Sequence, residues 1–156
     1  MKSKKNLIVF FALVFVLFLL DMLSKRFTDG NQVDLIPKFL SFNSVHNTGI
    51  AFGMFGGLRF IFIIINSILT VAAVVAWWFY GRKYMAMNIG FAFFICGAIG
   101  NLYDRIVYGY VRDFISFSFF STIFNVADIC LTVGTIMLVI ISIVTSFKHL
   151  EKKDAA

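Results

Sequence analysis

From Phe60 to Tyr80 the chain runs FIFIIINSILTVAAVVAWWFY, 21 residues without one charged side chain. An α-helix needs about 20 apolar residues to cross a hydrocarbon core of about 30 Å. Inside that core only helices and closed barrels satisfy their own backbone. Three further runs have the same character. Leu7–Leu20 extends through Asp21 to Leu23, 17 residues around a single carboxylate, and Tyr84–Tyr103 and Ile123–Phe147 are long enough to span. The predicted spans are 7–23, 58–80, 84–103 and 123–147, with outer segments 27–57 and 104–122. Only 14% of the 156 residues are charged, against about a quarter in soluble domains. A soluble fold is excluded. The expected class is an all-α integral membrane protein with four transmembrane helices, one polytopic unit over 1–156.

The first run follows Lys2, Lys4 and Lys5, as in a secretory signal. No A-x-A-like cleavage site comes after it, so it is read as an uncleaved span. Eight basic residues (Lys2, Lys4, Lys5, Arg82, Lys83, Lys148, Lys152, Lys153) lie in short segments on one side of a four-span arrangement. The other six are spread over longer stretches, which predicts both termini in the cytoplasm. The net charge of +6 is thereby a topology signal and calls for no nucleic acid. Cys96 and Cys130 sit in apolar runs without metal spacing and read as packing residues.

The outer segments carry strand signals. FLSFNSV (Phe39–Val45) alternates, and FISFSFFS (Phe114–Ser121) partly does. They predict a small sheet resting on the membrane surface. The only proline, Pro37, precedes the first, and Gly49, Gly53, Gly56 and Gly57 break the pattern after it.

Four of the eight acidic residues fall at outer helix ends or in the second outer segment: Asp21, Asp104, Asp113 and Asp128. An ionisable group in a spanning segment is costly and marks a functional candidate. Asp21 and Lys25 are spaced i, i+4 and can pair. A Ser24–Lys25 dyad is disfavoured because adjacent helical residues point apart. Gly97, Asn101 and Asp104 share a helix face, where they can be interhelical glue or part of a site. Arg105 can snorkel to headgroups or hold a substrate oxygen. Asn125 and Asp128 are i, i+3. With a helix starting at Ile123, Asp128 lies about five residues in, roughly 7–8 Å below the start. That is outer interfacial depth. Asp113 and Asp128, if they meet, suit aspartic-protease chemistry, in which two carboxyls hold one shared proton. Two structural aspartates are the plain alternative. The histidines, His46 and His149, are predicted on opposite membrane faces, so a His-containing zinc site is not expected.

Five segments in order resemble the lipoprotein signal peptidases, also called signal peptidase II. Asp21-Met-Leu-Ser-Lys25 is similar to D-x-x-[ST]-K, and Asn47-Thr-Gly-Ile-Ala-Phe52 to N-x-G-x-A-[FW]. Gly97-Ala-Ile-Gly-Asn-Leu-Tyr-Asp-Arg105 is similar to G-A-x-G-N-x-x-D-R, Gly109-Tyr-Val-Arg-Asp-Phe114 to G-x-V-x-D-F, and Phe124-Asn-Val-Ala-Asp128 to F-N-x-A-D. The resemblance implies an aspartic endopeptidase of the bacterial plasma membrane, its site near the outer face. It would cut the signal peptide from a diacylglyceryl-modified prolipoprotein just before the lipidated cysteine. Asp113 and Asp128 would be catalytic. Asn47, Gly49, Asn101, Asp104, Arg105 and Asn125 would bind substrate or support the dyad. Asp21, Lys25 and Gly97 would give structural support. The resemblance also implies an extracytoplasmic β-sheet cradle and a short surface helix, for which Gly49–Leu58 is the nearest candidate. No metal or cofactor is implied. The expected partners are the lipid-modified precursor and membrane lipids, and the expected state is a monomer.

Two other classes use the same residues. A small proton-coupled transporter or channel expects charge near mid-span and often inverted repeats; here the carboxylates gather at one face. A non-enzymatic assembly subunit would use its Asp and Asn residues only to bind neighbouring helices.

Overall fold

The computed structural model describes residues 2–49 and 59–154. Helix α1 spans Lys2–Thr28, α2 Arg59–Phe79, α3 Met85–Val107 and α4 Val126–Asp154, with a 3₁₀ turn at Gly81–Lys83 between α2 and α3. All four helices are long and apolar enough to cross a membrane. Strands β1 (Gln32–Ile36), β2 (Leu40–Asn47) and β3 (Val111–Phe117) form one antiparallel sheet in the order β1-β2-β3. The surface helix expected near Gly49–Leu58 falls almost wholly outside the described residues.

Helix α3 is the hub and packs against each of the other three. Its buried residues include Gly90, Ala92, Gly97, Ala98 and Gly100. Small side chains let helix backbones approach closely where lipid supplies no hydrophobic drive for association. A Cβ on Gly97 would fall on the carbonyl oxygen of Ala127 and lie 2.8 Å from the Leu131 nitrogen. The obstacle is backbone, so it cannot swing aside. Gly97→Ala is expected to push α3 and α4 apart at a cost of about 1–3 kcal/mol. It should lower the thermal midpoint of the detergent-purified protein and its activity together; an unchanged midpoint would mean the helices shift freely.

The outer helices expose large apolar side chains, such as Phe11 and Phe15 on α1, Ile64 and Ile68 on α2, and Ile140 and Ile143 on α4. These meet lipid rather than water. At the end away from the sheet a polar knot ties the bundle. Asn6 Nδ2 donates to the Arg82 carbonyl (2.9 Å), Asn88 Nδ2 to the Asn6 carbonyl (2.8 Å), and Trp77 Nε1 to Asn88 Oδ1 (2.8 Å). The Trp77 ring also stacks on Phe10 at 3.8 Å.

Several boundaries differ from the predicted ones, among them the end of α4 at Asp154 rather than 147. Helix α1 outruns 7–23 at both ends because charged residues prolong a helix beyond the apolar core; it stops before Gly30, whose φ is 74°. Helix α3 continues past Tyr103 through Val107, so Asp104 and Arg105 are helical rather than in the outer segment. It ends at Gly109 (φ 91°), whose N–H closes on the Asp104 carbonyl. Helix α4 begins at Val126, not 123, because Phe124 is extended and bridges Ile115. Strand β1 has no sequence signal. All five of its residues are exposed, so no burial alternation marks it.

Candidate active site

The start of α4 explains why Asp128 stands where it does. Asp128 N donates to Asn125 Oδ1 (2.9 Å), and Asn125 N donates to Asp128 Oδ2 (3.1 Å). This is a reciprocal capping box, with asparagine at the N-cap and a carboxylate three residues on. Asp128 therefore lies in the first turn of α4. The depth of 7–8 Å below the helix start is corrected: Ile123 and Phe124 belong to the approach, and the cap sets the start. A carboxylate in that first turn is also favoured by the helix dipole.

Asn125 is completely buried and joins two segments. Its Nδ2 donates to Asp113 Oδ1 at 2.6 Å and to Asn101 Oδ1 at 3.2 Å. Asn101 Nδ2 donates to Asp128 Oδ1 (2.7 Å), and Asn47 Nδ2 donates to Asp113 Oδ2 (2.9 Å). All four oxygens of the two carboxylates thus accept a hydrogen bond. Among the described residues Asn125 alone hydrogen-bonds to both groups. Asp113 is 4% exposed on β3. Burial pushes its carboxyl up to about 6; the Asn47 hydrogen bond opposes the rise and the charge of Asp128 adds to it.

Beneath the pair lies a buried ionic cluster. Lys25 Nζ is 2.8 Å from Asp21 Oδ2 and 3.2 Å from Asp104 Oδ2, with all three side chains fully buried. It also donates to Asn101 Oδ1 at 3.4 Å. Arg112 pairs with Asp104 at 2.7 Å. Two anions and two cations balance, which is the condition for keeping charge out of water. Asp21 Oδ1 accepts from the Ala127 nitrogen (2.8 Å), so α1 helps hold the first turn of α4.

The two carboxylates open on a cavity of about 500 Å³. Asn47, Gly49, Asn101, Arg105, Asp113 and Asp128 line its polar part. Phe120, Ile123, Phe124, Ile129, Thr132 and Val133 line the rest. Arg105 Nη2 donates to the Gly49 carbonyl (3.2 Å) and its Nη1 to the Asn101 carbonyl (3.4 Å). Of the predicted site residues, Asn47, Gly49, Asn101, Arg105 and both aspartates line this cavity, and Asn125 lies buried behind the two carboxylates. Asp21, Lys25 and Asp104 form the layer below, and Gly97 sits at the α3–α4 contact. Arg112 was not among the predicted residues. Its partner is eight positions away, joined through a turn that no spacing rule marks.

The family model for signal peptidase (SPase) II matches residues 13–144. The chain belongs to the signal peptidase II family. Membership makes it a membrane-embedded protease. A lipoprotein signal peptidase of Clostridium novyi (strain NT) is 38% identical over 120 residues, covering 74% of this chain and 81% of the relative. One from Brucella ovis is 36% identical over 123 residues, covering 76% of each. A solved structure described as a bacterial membrane enzyme superposes with a TM-score of 0.81 at 28% identity over 90% of both chains. A second, described in the same words, gives 0.77 at 29% identity over 85% of this chain and 90% of that one. Signal peptidase II family membership accords with four apolar helices carrying a small sheet at one end.

Proposed function

We propose that this signal peptidase II family member is an aspartic endopeptidase that removes the signal peptide from diacylglyceryl-modified prolipoproteins, cutting just before the lipidated cysteine. The observation that carries the catalytic type is the bridging of Asp113 and Asp128 by Asn125 at the mouth of a largely apolar cavity. The dyad holds one shared proton, and it resides on Asp113, the carboxyl that burial raises. Ionised Asp128 takes a proton from a water molecule, whose oxygen attacks the scissile carbonyl carbon. Asp113 gives its proton to the carbonyl oxygen as that bond becomes single. Collapse of the tetrahedral adduct returns one proton to the dyad and passes another to the leaving amine. The products are a peptide carboxylic acid and the amine of the lipidated cysteine, which ionise in water to carboxylate and ammonium. Arg105, at the polar wall, is placed to hold a substrate carbonyl.

A site at the end of the bundle lets acyl chains remain in lipid while the peptide bond reaches the carboxylates. The apolar wall from Ile129 to Val133 would receive the signal segment. We place both termini in the cytoplasm, because Lys4, Lys5, Arg82 and Lys83 gather at the end opposite the sheet. The membrane in this reading is the bacterial plasma membrane, as the family resemblance implies, with the site at its outer face. A proton-coupled carrier is the weaker reading. Asp21, Asp104, Asp113 and Asp128 gather at the sheet end, and among the described residues no carboxylate stands at mid-span.

The test is cleavage of a precursor carrying a diacylglyceryl cysteine by the purified chain in detergent, read by mass spectrometry. A single cut before the cysteine is expected. No cut by folded protein would overturn the peptidase, and equal cutting of the unmodified precursor would overturn the lipid requirement. The pH profile follows from Asp113. Its proton leaves as pH rises through about 6, so kcat/KM falls above that pH. Asn47 favours the ionised form, so Asn47→Ala raises the proton affinity of Asp113 and moves the alkaline limb to higher pH. A limb that stays in place would remove Asn47 from the dyad.

A further inference from the structure

We infer that Arg112 is a positioning residue, clamping the start of β3 onto Asp104 of α3 and so setting where Asp113 meets α4. The inference rests on Asp113 being catalytic. Arg112 donates to Asp104 three times: its backbone N to Oδ2 (3.0 Å), Nε to Oδ2 (3.4 Å) and Nη2 to Oδ1 (2.7 Å). A guanidinium fork on a carboxylate fixes orientation as well as distance. The added backbone bond ties the main chain itself, one residue before Asp113. Asp104 is fully buried and Arg112 is 5% exposed.

The guanidinium is also held from its sides. Its Cζ lies 4.3 Å from the Tyr108 ring centre, and Nη2 is 4.0 Å from Met22 Sδ on α1. Between Tyr108 and Arg112 the chain reverses through Gly109, where φ is 91° and an added Cβ would lie 2.9 Å from Arg59 Nη1. The clamp closes this reversal. Side chains alternate along a strand, so Arg112 turns toward α1 and α3 while Asp113 turns toward Asn125 and Asn47. Arg112 does not line the cavity. It acts on the reaction only through Asp113.

The charge arrangement carries the effect further. Asp104 is shared by Arg112 and Lys25, and Lys25 also reaches Asn101, the donor to Asp128. Without Arg112, Lys25 must neutralise Asp21 and Asp104 alone. The 3.4 Å bond to Asn101 is the longest of its contacts and the first to yield. Loss of Arg112 therefore loosens the support of both carboxylates.

The test measures kcat and KM for the diacylglyceryl precursor with Arg112→Gln, Arg112→Lys and, in parallel, Asp113→Asn. Arg112→Gln should lower kcat about 100-fold at unchanged KM, the scale of a roughly 1 Å misplacement. Arg112→Lys keeps the charge but not the fork, so it should fold and give an intermediate kcat. A wild-type kcat in Arg112→Lys overturns the clamp even if Arg112→Gln does not fold. So does a wild-type kcat in Arg112→Gln, or a loss confined to KM. If Asp113→Asn is inactive, such a result leaves the dyad standing; if Asp113→Asn turns over normally, the dyad itself falls.

Discussion

Asp113→Asn and Asp128→Asn, made singly, are each expected to lower kcat for precursor cleavage by about 10³-fold or more, within the range of general acid–base catalysis. The amide is nearly the shape of the carboxyl but neither accepts the water proton nor delivers one. Each substitution also creates a local conflict. Asp113 accepts from Asn125 Nδ2 and Asn47 Nδ2, so an amide there must turn its NH₂ toward one of two donors. At position 128 the same conflict arises with Asn101 Nδ2 and the Asn125 N–H. The capping contribution at stake is about 1 kcal/mol, small enough for the variant to insert and fold. The double variant should be no worse than either single one, because residues that act as a unit do not add. Cleavage kinetics of protein matched for folded fraction read the result. Normal processing by either single variant would sink the dyad.

Lys25→Met is expected to have the largest effect on stability. It leaves Asp21 without its cation and Asp104 with Arg112 alone, all in a layer closed to solvent. Breaking a buried pair by removing one partner costs about 3–5 kcal/mol. The thermal midpoint should fall steeply, and activity with it, since Asp21 also holds the Ala127 N–H. Adding Asp21→Asn should recover part of the loss. The neutral amide can still accept from Ala127, and the Asp104–Arg112 pair then balances by itself. Equal midpoints for Lys25→Met and the wild type would show that the cluster bears no structural load.

The spans were legible because a charge-free run of about 20 residues has few other uses. Strands β2 and β3 were legible from the alternation in Phe39–Val45 and Phe114–Ser121. Helix ends were not, because apolar residues continue past them: Ile123 and Phe124 read as helix, yet the cap of α4 is Asn125. The same signal, asparagine with aspartate three positions later, was visible as a shared face and not as a cap. The candidate site residues stood in five short motifs. Their convergence needed the structure, since Asn47, Asn101, Asp113 and Asn125 come from β2, α3, β3 and the approach to α4. The i, i+4 spacing shows Asp21–Lys25 as a local pair, whereas the reach of Lys25 to Asp104 and Asn101 depends on how α1 packs on α3.

The bond from Ala127 to Asp21 joins the first helix to the last. During synthesis Asp21 is made more than a hundred residues before its acceptor role can be filled, and until then only Lys25 of its own helix can neutralise it. Asn101 and Asp113 likewise wait for Asn125. On the proposed mechanism a nascent chain therefore carries half a dyad, with Asp128, the carboxylate that would activate water, still in the ribosome. On that reading proteolytic competence arrives with the final helix, and an interrupted translation product would be inert in the membrane it has already entered.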